Sequence, residues 1–365
     1  MNIGILGGGQ LGRMFLQVAH NYPDTFHILD PDPHAPSRPL AHHFIEGDFR
    51  DEQTVLDFGR DLEAIGIEIE QVNVKALYQL EAMGKRVIPR PNALTLIQDK
   101  GLQKQFYAEH QLATAPFILF DPLDPQSALE KMPLPFVQKT RTGGYDGKGV
   151  QIIRTQQDLE KLWQVPSVLE QFYAEVLEIA VVVVRGDYGY SVAYPAMEMI
   201  FDPEFNLVDF VQMPAPSLSE EQQQQARSLA LSVVQHLDSA GVFAVEMFVT
   251  PSGEIVINET ACRVHNSAHI TIEACESSQF DQMYRVIRGL PLGSTTQHKP
   301  AAMLNLVGIS ALDLPLDELM NEEAVYVHWY GKTEARVGRK MGHITLLAES
   351  EQELYEKIRV CKESL

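Results

Sequence analysis

Cysteine and tryptophan are scarce in this chain of 365 residues, with three of one and two of the other. Cys262, Cys275 and Cys361 are odd in number and form no C-x-x-C pair, which argues against a disulfide framework or a thiolate zinc site and fits a reducing compartment. Long apolar runs are missing too: the longest strongly apolar one, Ile179 to Val184, is far below the roughly 20 residues a membrane helix needs. The stretch MNIGILGGGQLG at the start has no basic n-region, so the expected location is cytoplasmic, with no membrane partner. Positive charge is also in short supply. Twenty-nine Lys and Arg face 49 Asp and Glu, a net charge of −20, and that field repels polyanions, so nucleic acid is not an expected partner. An anionic small molecule would have to be held by local devices: helix N-termini, glycine turns, clustered Lys and Arg, or a metal ion.

What the chain does contain is ordinary globular material, 45% apolar and 21% charged, long enough for two or three domains. Residues 2–6 read as a strand, Gly7 to Gly12 as a turn, and Leu11, Met14, Phe15 and Val18 as the apolar face of a helix. Strand Phe26 to Asp30, a helix near Asp51 to Arg60, strand Ala64 to Ile69, helix Val74 to Met83 and strand Arg86 to Ile88 continue the alternation, which predicts a parallel α/β sheet. A helical stretch over Asn92 to His110 then leads into an α+β region with strands at Phe136 to Lys139, Val150 to Ile153 and Ile179 to Arg185. The loop RGLPLGSTTQHKP at 288–300 ends that region. Beyond it come strands near Ala302 to Val307 and His343 to Leu347 and a helix over Glu351 to Cys361.

Five motifs carry chemistry. Gly7-Gly8-Gly9-Gln10-Leu11-Gly12 fits G-x-G-x-x-G, with Asp30 ending the next strand where a ribose-binding acid would sit; a dinucleotide, another phosphate ligand and a purely structural turn all satisfy it. Lys139 to Gly149, KTRTGGYDGKG, places four glycines between two strands. It lacks Walker A spacing and reads either as a lid over nucleotide phosphates, with Lys139 reaching them, or as a flexible hairpin. VFAVEMFVT and IVINET read as two strands joined at Pro251 to Glu254. If Thr250 pairs with Ile255, Glu246 stands opposite Glu259, and two facing carboxylates call for a counter-ion such as Mg²⁺, unless Glu246 faces solvent. Arg263-Val264-His265-Asn266-Ser267 follows, suited to orienting an anionic substrate. Last, His328-Trp329-Tyr330-Gly331-Lys332 through Arg336, Arg339, Lys340 and His343 forms a basic island, within which Gly338 and Gly342 bracket Arg339 and Lys340.

In order and spacing, these stretches together with EIEQVN at 68–73, QDKGLQKQF at 98–106, SQF at 278–280, GLPLG at 289–293 and GRKMGH at 338–343 resemble the ATP-grasp superfamily, and within it the N5-carboxyaminoimidazole ribonucleotide synthetases of purine biosynthesis. The resemblance implies three domains: a Rossmann-like one over 1–96, an ATP-grasp one over 97–296 and a small C-terminal one over 297–365. It also implies a ligase that carboxylates aminoimidazole ribonucleotide with bicarbonate through carboxyphosphate, using ATP and Mg²⁺, as a homodimer. Carried over residue by residue, Lys100, Lys139, Gly144, Tyr145, Asp146, Gly147, Lys148, Gly149, Glu170, Gln171, Phe172, Tyr173, Glu178, Asn258 and Glu259 would hold ATP, and Glu246 and Glu259 the metal. Tyr145, Asp146, Lys148, Arg263 and His265 would act in catalysis. Gly9, Gln10, Leu11, Asn266, Ser267, Lys332, Arg339 and Lys340 would bind the ribonucleotide. Gly66, Cys262, Ala268 and Met283 depart from the family pattern, and a 260–268 loop without proline is expected to be more mobile. The alternatives are another ATP-grasp ligase, such as a formate-dependent glycinamide ribonucleotide transformylase, a nicotinamide oxidoreductase, or a nucleotide-binding module without catalysis.

Overall fold

The computed structural model describes residues 1–144, 149–202 and 207–365. Short apolar strands separated by helices cannot pair as hairpins, so the first five build a parallel sheet. They are β1 (Asn2–Leu6), β2 (Thr25–Asp30), β3 (His43–Glu46), β4 (Ala64–Ile67) and β5 (Arg86–Ile88), in the order β3-β2-β1-β4-β5. The glycine turn leaves the carboxyl end of β1 and opens the helix Gln10–Ala19, the edge at which open α/β sheets hold ligands.

The helical stretch expected over 92–110 is two helices, Pro91–Ile97 and Lys100–Glu109. Asp99 breaks it: its backbone is extended and its carboxylate accepts the N–H groups of Gly101 and Leu102 as an N-cap. Lys100 therefore begins a helix instead of lying in the middle of one.

An antiparallel four-stranded sheet follows, with β6 (Phe117–Phe120), β7 (Phe136–Thr140), β8 (Val150–Ile153) and β9 (Ser167–Gln171) in the order β6-β9-β7-β8. Its own small core contains Phe120, Met132, Phe136, Leu162 and Leu169. The remaining strands are β10 (Leu177–Arg185), β11 (Ser191–Ala193), β12 (Met197–Asp202), β13 (Leu207–Met213), β14 (Gly241–Val249), β15 (Ile255–Ala261), β16 (Ala301–Val307), β17 (Val325–Trp329) and β18 (Lys340–Leu347). Among the described residues they form one sheet, ordered β15-β14-β10-β12-β13-β16-β18-β17 with β11 beside β10. The last three strands thus extend the central sheet through the antiparallel pairing of β13 with β16.

The apolar run at 179–184 is the buried interior of β10. Ile179, Val181 and Val183 face a core shared with Val233 and Leu237 of the helix Glu220–Leu237, while Ala180, Val182 and Val184 face one shared with Val286 and Ile287 of the helix Gln279–Arg288. A strand buried on both faces loses the alternation that marks a half-exposed one. β17 was not expected; His328 and Trp329, grouped with the basic island, lie in it and pair with His343 and Gly342. Among the described residues, no helix is long and apolar enough to cross a membrane.

Candidate functional site

Glu246 does stand opposite Glu259, by a different route from the one expected. The hairpin closes one residue earlier, with Val249 opposite Ile255, and a β-bulge between Glu246 and Met247 then shifts the register. Asn258 is the extra residue, and it restores the carboxylate pair that the simple count had assumed. Glu178 on β10 shares this face, because it pairs with Phe248, two residues along from Glu246. Burial, reinforced by the Glu246 charge, pushes the Glu178 carboxyl up to about 7.

Cations converge on the bulge from two elements. Lys139 on β7 donates to Asn258 Oδ1 at 2.6 Å, and Lys100, first in its helix, pairs with Glu259. The Lys100 charge is the main cause holding the Glu259 carboxyl well below its ordinary value. Glu170, 3% exposed on β9, takes Lys139 at 3.2 Å and Lys104 at 3.0 Å on the same oxygen. Burial alone would raise its carboxyl, but the two ammonium groups together keep it low. Lys104 also donates to Thr114 Oγ1 at 2.8 Å, and burial lowers it to about 8. Neither the composition nor the motifs pointed to Lys104; the only available signal was its place in the QDKGLQKQF stretch, on the same helical face as Lys100 four residues earlier. Glu170, expected to hold ATP together with Gln171, Phe172 and Tyr173, uses its side chain to anchor lysines. Gln171 and Phe172 follow it; Gln171 N–H donates to Pro116 C=O at 2.9 Å, Phe172 lies beneath the Arg154 guanidinium, and burial raises the Tyr173 phenol.

The loop after β15 is braced at several points instead of hanging free. Cys262 N–H donates to Glu70 Oε1 at 3.2 Å, and Arg263 Nε lies 3.6 Å from the same oxygen. Gln279 clamps the main chain of His265 from both sides, accepting its N–H at 2.7 Å and donating to its C=O at 2.8 Å. His265 Nε2 then sits 3.1 Å from Glu246 Oε1, and Nδ1 is 2.9 Å from Ser267 Oγ. Asn266 exchanges carboxamide hydrogen bonds with Asn305 of β16 and accepts from Lys340 Nζ at 2.9 Å. Lys332 Nζ donates to Gln10 Oε1 at 2.7 Å. The C-terminal lysines therefore reach both the loop and the glycine turn. The Arg339 guanidinium donates to Glu334 C=O at 2.9 Å.

The glycine turn differs from a dinucleotide fingerprint in who holds its amides. Asp30 accepts Gly8 N–H at 2.6 Å, and Glu68 accepts Gly9 N–H at 2.8 Å and Gly12 N–H at 2.7 Å. The acid expected to bind a ribose instead fastens the turn, which removes the main support for an oxidoreductase. Leu11 packs its side chain against the core, and Gln10 is the turn residue that meets the C-terminal lysines. On the second glycine loop, Gly149 C=O accepts Thr140 N–H at 2.9 Å and closes the stem, with Gly144 just inside it. Tyr145, Asp146, Gly147 and Lys148 lie outside the described residues.

The donor set at the bulge fits a hard divalent cation. Glu246, Glu259 and Asn258 offer oxygens on neighbouring positions, and each carboxylate here is met by a cationic or imidazole group, Lys100 or His265. Among the described residues no group of three or more His, Cys, Asp or Glu side chains could hold a metal by itself. Mg²⁺ commonly takes one or two carboxylates and completes its shell with water and substrate phosphates.

Three family models match successive stretches of the chain. Residues 1–98 match the ribonucleotide synthetase preATP-grasp domain, 105–280 the ATP-grasp domain, and 301–357 the phosphoribosylaminoimidazole carboxylase C-terminal domain. The chain is 34% identical to the N5-carboxyaminoimidazole ribonucleotide synthase of Bacillus subtilis, over 98% of its own length and 94% of that protein's. It is 34% and 37% identical to the phosphoribosylaminoimidazole carboxylases of Vigna aconitifolia and Schizosaccharomyces pombe, over 95% and 96% of its length, but spans only 64% and 66% of theirs. Among solved structures, the N5-carboxyaminoimidazole ribonucleotide synthetase of Thermotoga maritima superposes with a TM-score of 0.88 at 37% identity, covering 99% of this chain and 98% of that one. The Aspergillus clavatus N5-carboxyaminoimidazole synthase in complex with ADP and 5-aminoimidazole ribonucleotide gives 0.90 at 31% identity, covering 100% and 98%.

Proposed function

The chain belongs to the N5-carboxyaminoimidazole ribonucleotide synthase family of ATP-grasp proteins, and from that premise we propose that it carboxylates 5-aminoimidazole ribonucleotide with bicarbonate, using ATP. A bicarbonate oxygen takes the γ-phosphoryl group, giving ADP and carboxyphosphate. The exocyclic amine then attacks the carboxyl carbon, loses a proton, and phosphate leaves. The observation that carries this reading is the convergence of Lys100 and Lys139 on consecutive residues of one strand, Asn258 and Glu259, opposite Glu246.

In this reading Lys100 and Lys139 hold the ATP phosphates, the backbone of Glu170 to Tyr173 meets the adenine and Glu178 the ribose hydroxyls, while Gly144 to Gly149 cover the phosphates. Glu246, Glu259 and Asn258 would hold Mg²⁺, which would supply neutralising charge for the ATP phosphates. His265, kept in place by Gln279, and Arg263 face the developing charge of carboxyphosphate together with Tyr145, Asp146 and Lys148. Gly9, Gln10, Leu11, Asn266, Ser267, Lys332, Arg339 and Lys340 line the ribonucleotide side. The domain limits 1–96, 97–296 and 297–365, a cytoplasmic location and a homodimer complete the proposal; light scattering of the purified protein tests the dimer.

The decisive measurement is ADP release with ATP and Mg²⁺, with and without aminoimidazole ribonucleotide and bicarbonate, beside a Glu259→Gln variant. Release that needs both co-substrates and falls at least 100-fold in the variant is the expected result. Release driven instead by formate and glycinamide ribonucleotide would replace this reading with the transformylase.

A further inference from the structure

Asp99 and Arg141 form a two-pronged ion pair beside the two lysines. Arg141 stands two residues beyond Lys139, and Asp99 immediately precedes Lys100. Arg141 Nε lies 2.8 and 3.1 Å from the two Asp99 carboxylate oxygens, and Nη2 lies 2.6 Å from Oδ2. Lys100 N–H donates to Arg141 C=O at 2.8 Å, and Arg141 N–H to Pro166 C=O at 3.2 Å. Gly101 leaves room for the crossing: a Cβ there would lie 2.7 Å from Arg141 Nε.

These contacts close a ring. It runs from Lys100 to Glu259, along the strand to Asn258, across to Lys139, up β7 to Arg141, and through Asp99 back to Lys100. Half of that ring consists of the lysine contacts themselves, for which bound phosphates would compete. The other half, the Asp99–Arg141 pair and the main-chain bond from Lys100 to Arg141, uses neither ammonium group. We propose that the Asp99–Arg141 pair is a positioning strut that sets the spacing of the Lys100 and Lys139 ammonium groups, and so the affinity for the nucleotide phosphates. This inference rests on the nucleotide reading above.

The test separates the strut from the helix cap that Asp99 also provides. Asn caps a helix as well as Asp, so Asp99→Asn keeps the cap and loses the ion pair; Arg141→Lys keeps a charge and loses the two-pronged geometry. Each should raise the ADP Kd, measured by titration calorimetry on the full chain with Mg²⁺, and the KM for ATP about tenfold, with the KM for the ribonucleotide unchanged. Asp99→Asn combined with Arg141→Lys should be no worse than either alone, because one interaction is lost once. Variants that melt earlier yet bind ADP as the parent does would reduce the pair to a structural brace and overturn the strut. A parent chain that binds no ADP would instead sink the nucleotide reading, and the strut with it.

Discussion

Glu178 is the side chain whose ionisation the fold disturbs in the most useful range. An ordinary glutamate titrates at 4.5, and burial with the Glu246 charge moves this one to about 7. The folded chain therefore keeps a proton that the unfolded chain gives up. The stabilisation is complete below 4.5 and is lost as pH rises through 7, at most ~3 kcal/mol in all. Glu178→Gln cannot ionise, so its melting temperature should fall less between pH 5 and pH 8 than that of the parent; equal slopes would show that Glu178 is not the group responsible. The same crowding of carboxylates explains why Lys100 and His265 are drawn onto Glu259 and Glu246. At this scale much was legible, since Glu246, Glu259, Lys139 and His265 stand in distinctive motifs. Glu68 and Lys104 were not, because each acts through a partner distant in sequence: the Gly9 and Gly12 amides for one, Glu170 for the other.

Element boundaries show where periodicity stops being informative. A count of alternating residues placed Glu246 opposite Glu259 correctly and the turn incorrectly, because a bulge is an inserted residue and leaves no mark in the alternation. The break at Asp99 was readable in principle, since Asp is a preferred N-cap, but the apolar residues on both sides suggested one continuous helix. The 260–268 loop was expected to be more mobile without a proline; the contacts that brace it, from Glu70, Asn305 and Gln279, are ones that only the tertiary fold supplies. Gln279, fully buried at the start of its helix, carries the most weight there. Gln279→Leu would leave the His265 N–H and C=O without the partner they have now and strip His269 Nδ1 of its 3.0 Å contact. Urea denaturation should show a loss of about 2–3 kcal/mol, and ADP release should slow as His265 shifts. A variant as stable and as active as the parent would mean that the loop holds itself.

The molecule as a whole divides unevenly, and its two tryptophans report on the division. Trp163 belongs to the four-stranded unit, its peptide N–H and C=O held by the Gln138 carboxamide at 3.0 Å each. Trp329 lies on β17, at the far end of the nine-stranded sheet that joins the C-terminal strands to the centre. The small unit has a slight core of its own, whereas the large sheet is packed on both faces of β10. Stability should follow burial, so the two reporters should not melt together. In Trp329→Phe the remaining Trp163 fluorescence should change at a lower temperature than that of Trp329 in Trp163→Phe. ADP with Mg²⁺ should raise the Trp163 transition more, because Lys139 and Glu170 belong to the unit it reports and binding stabilises what it orders. Coincident transitions, unmoved relative to each other by ADP, would show instead that the sheets unfold as one body and that the nucleotide does not act through the smaller of them.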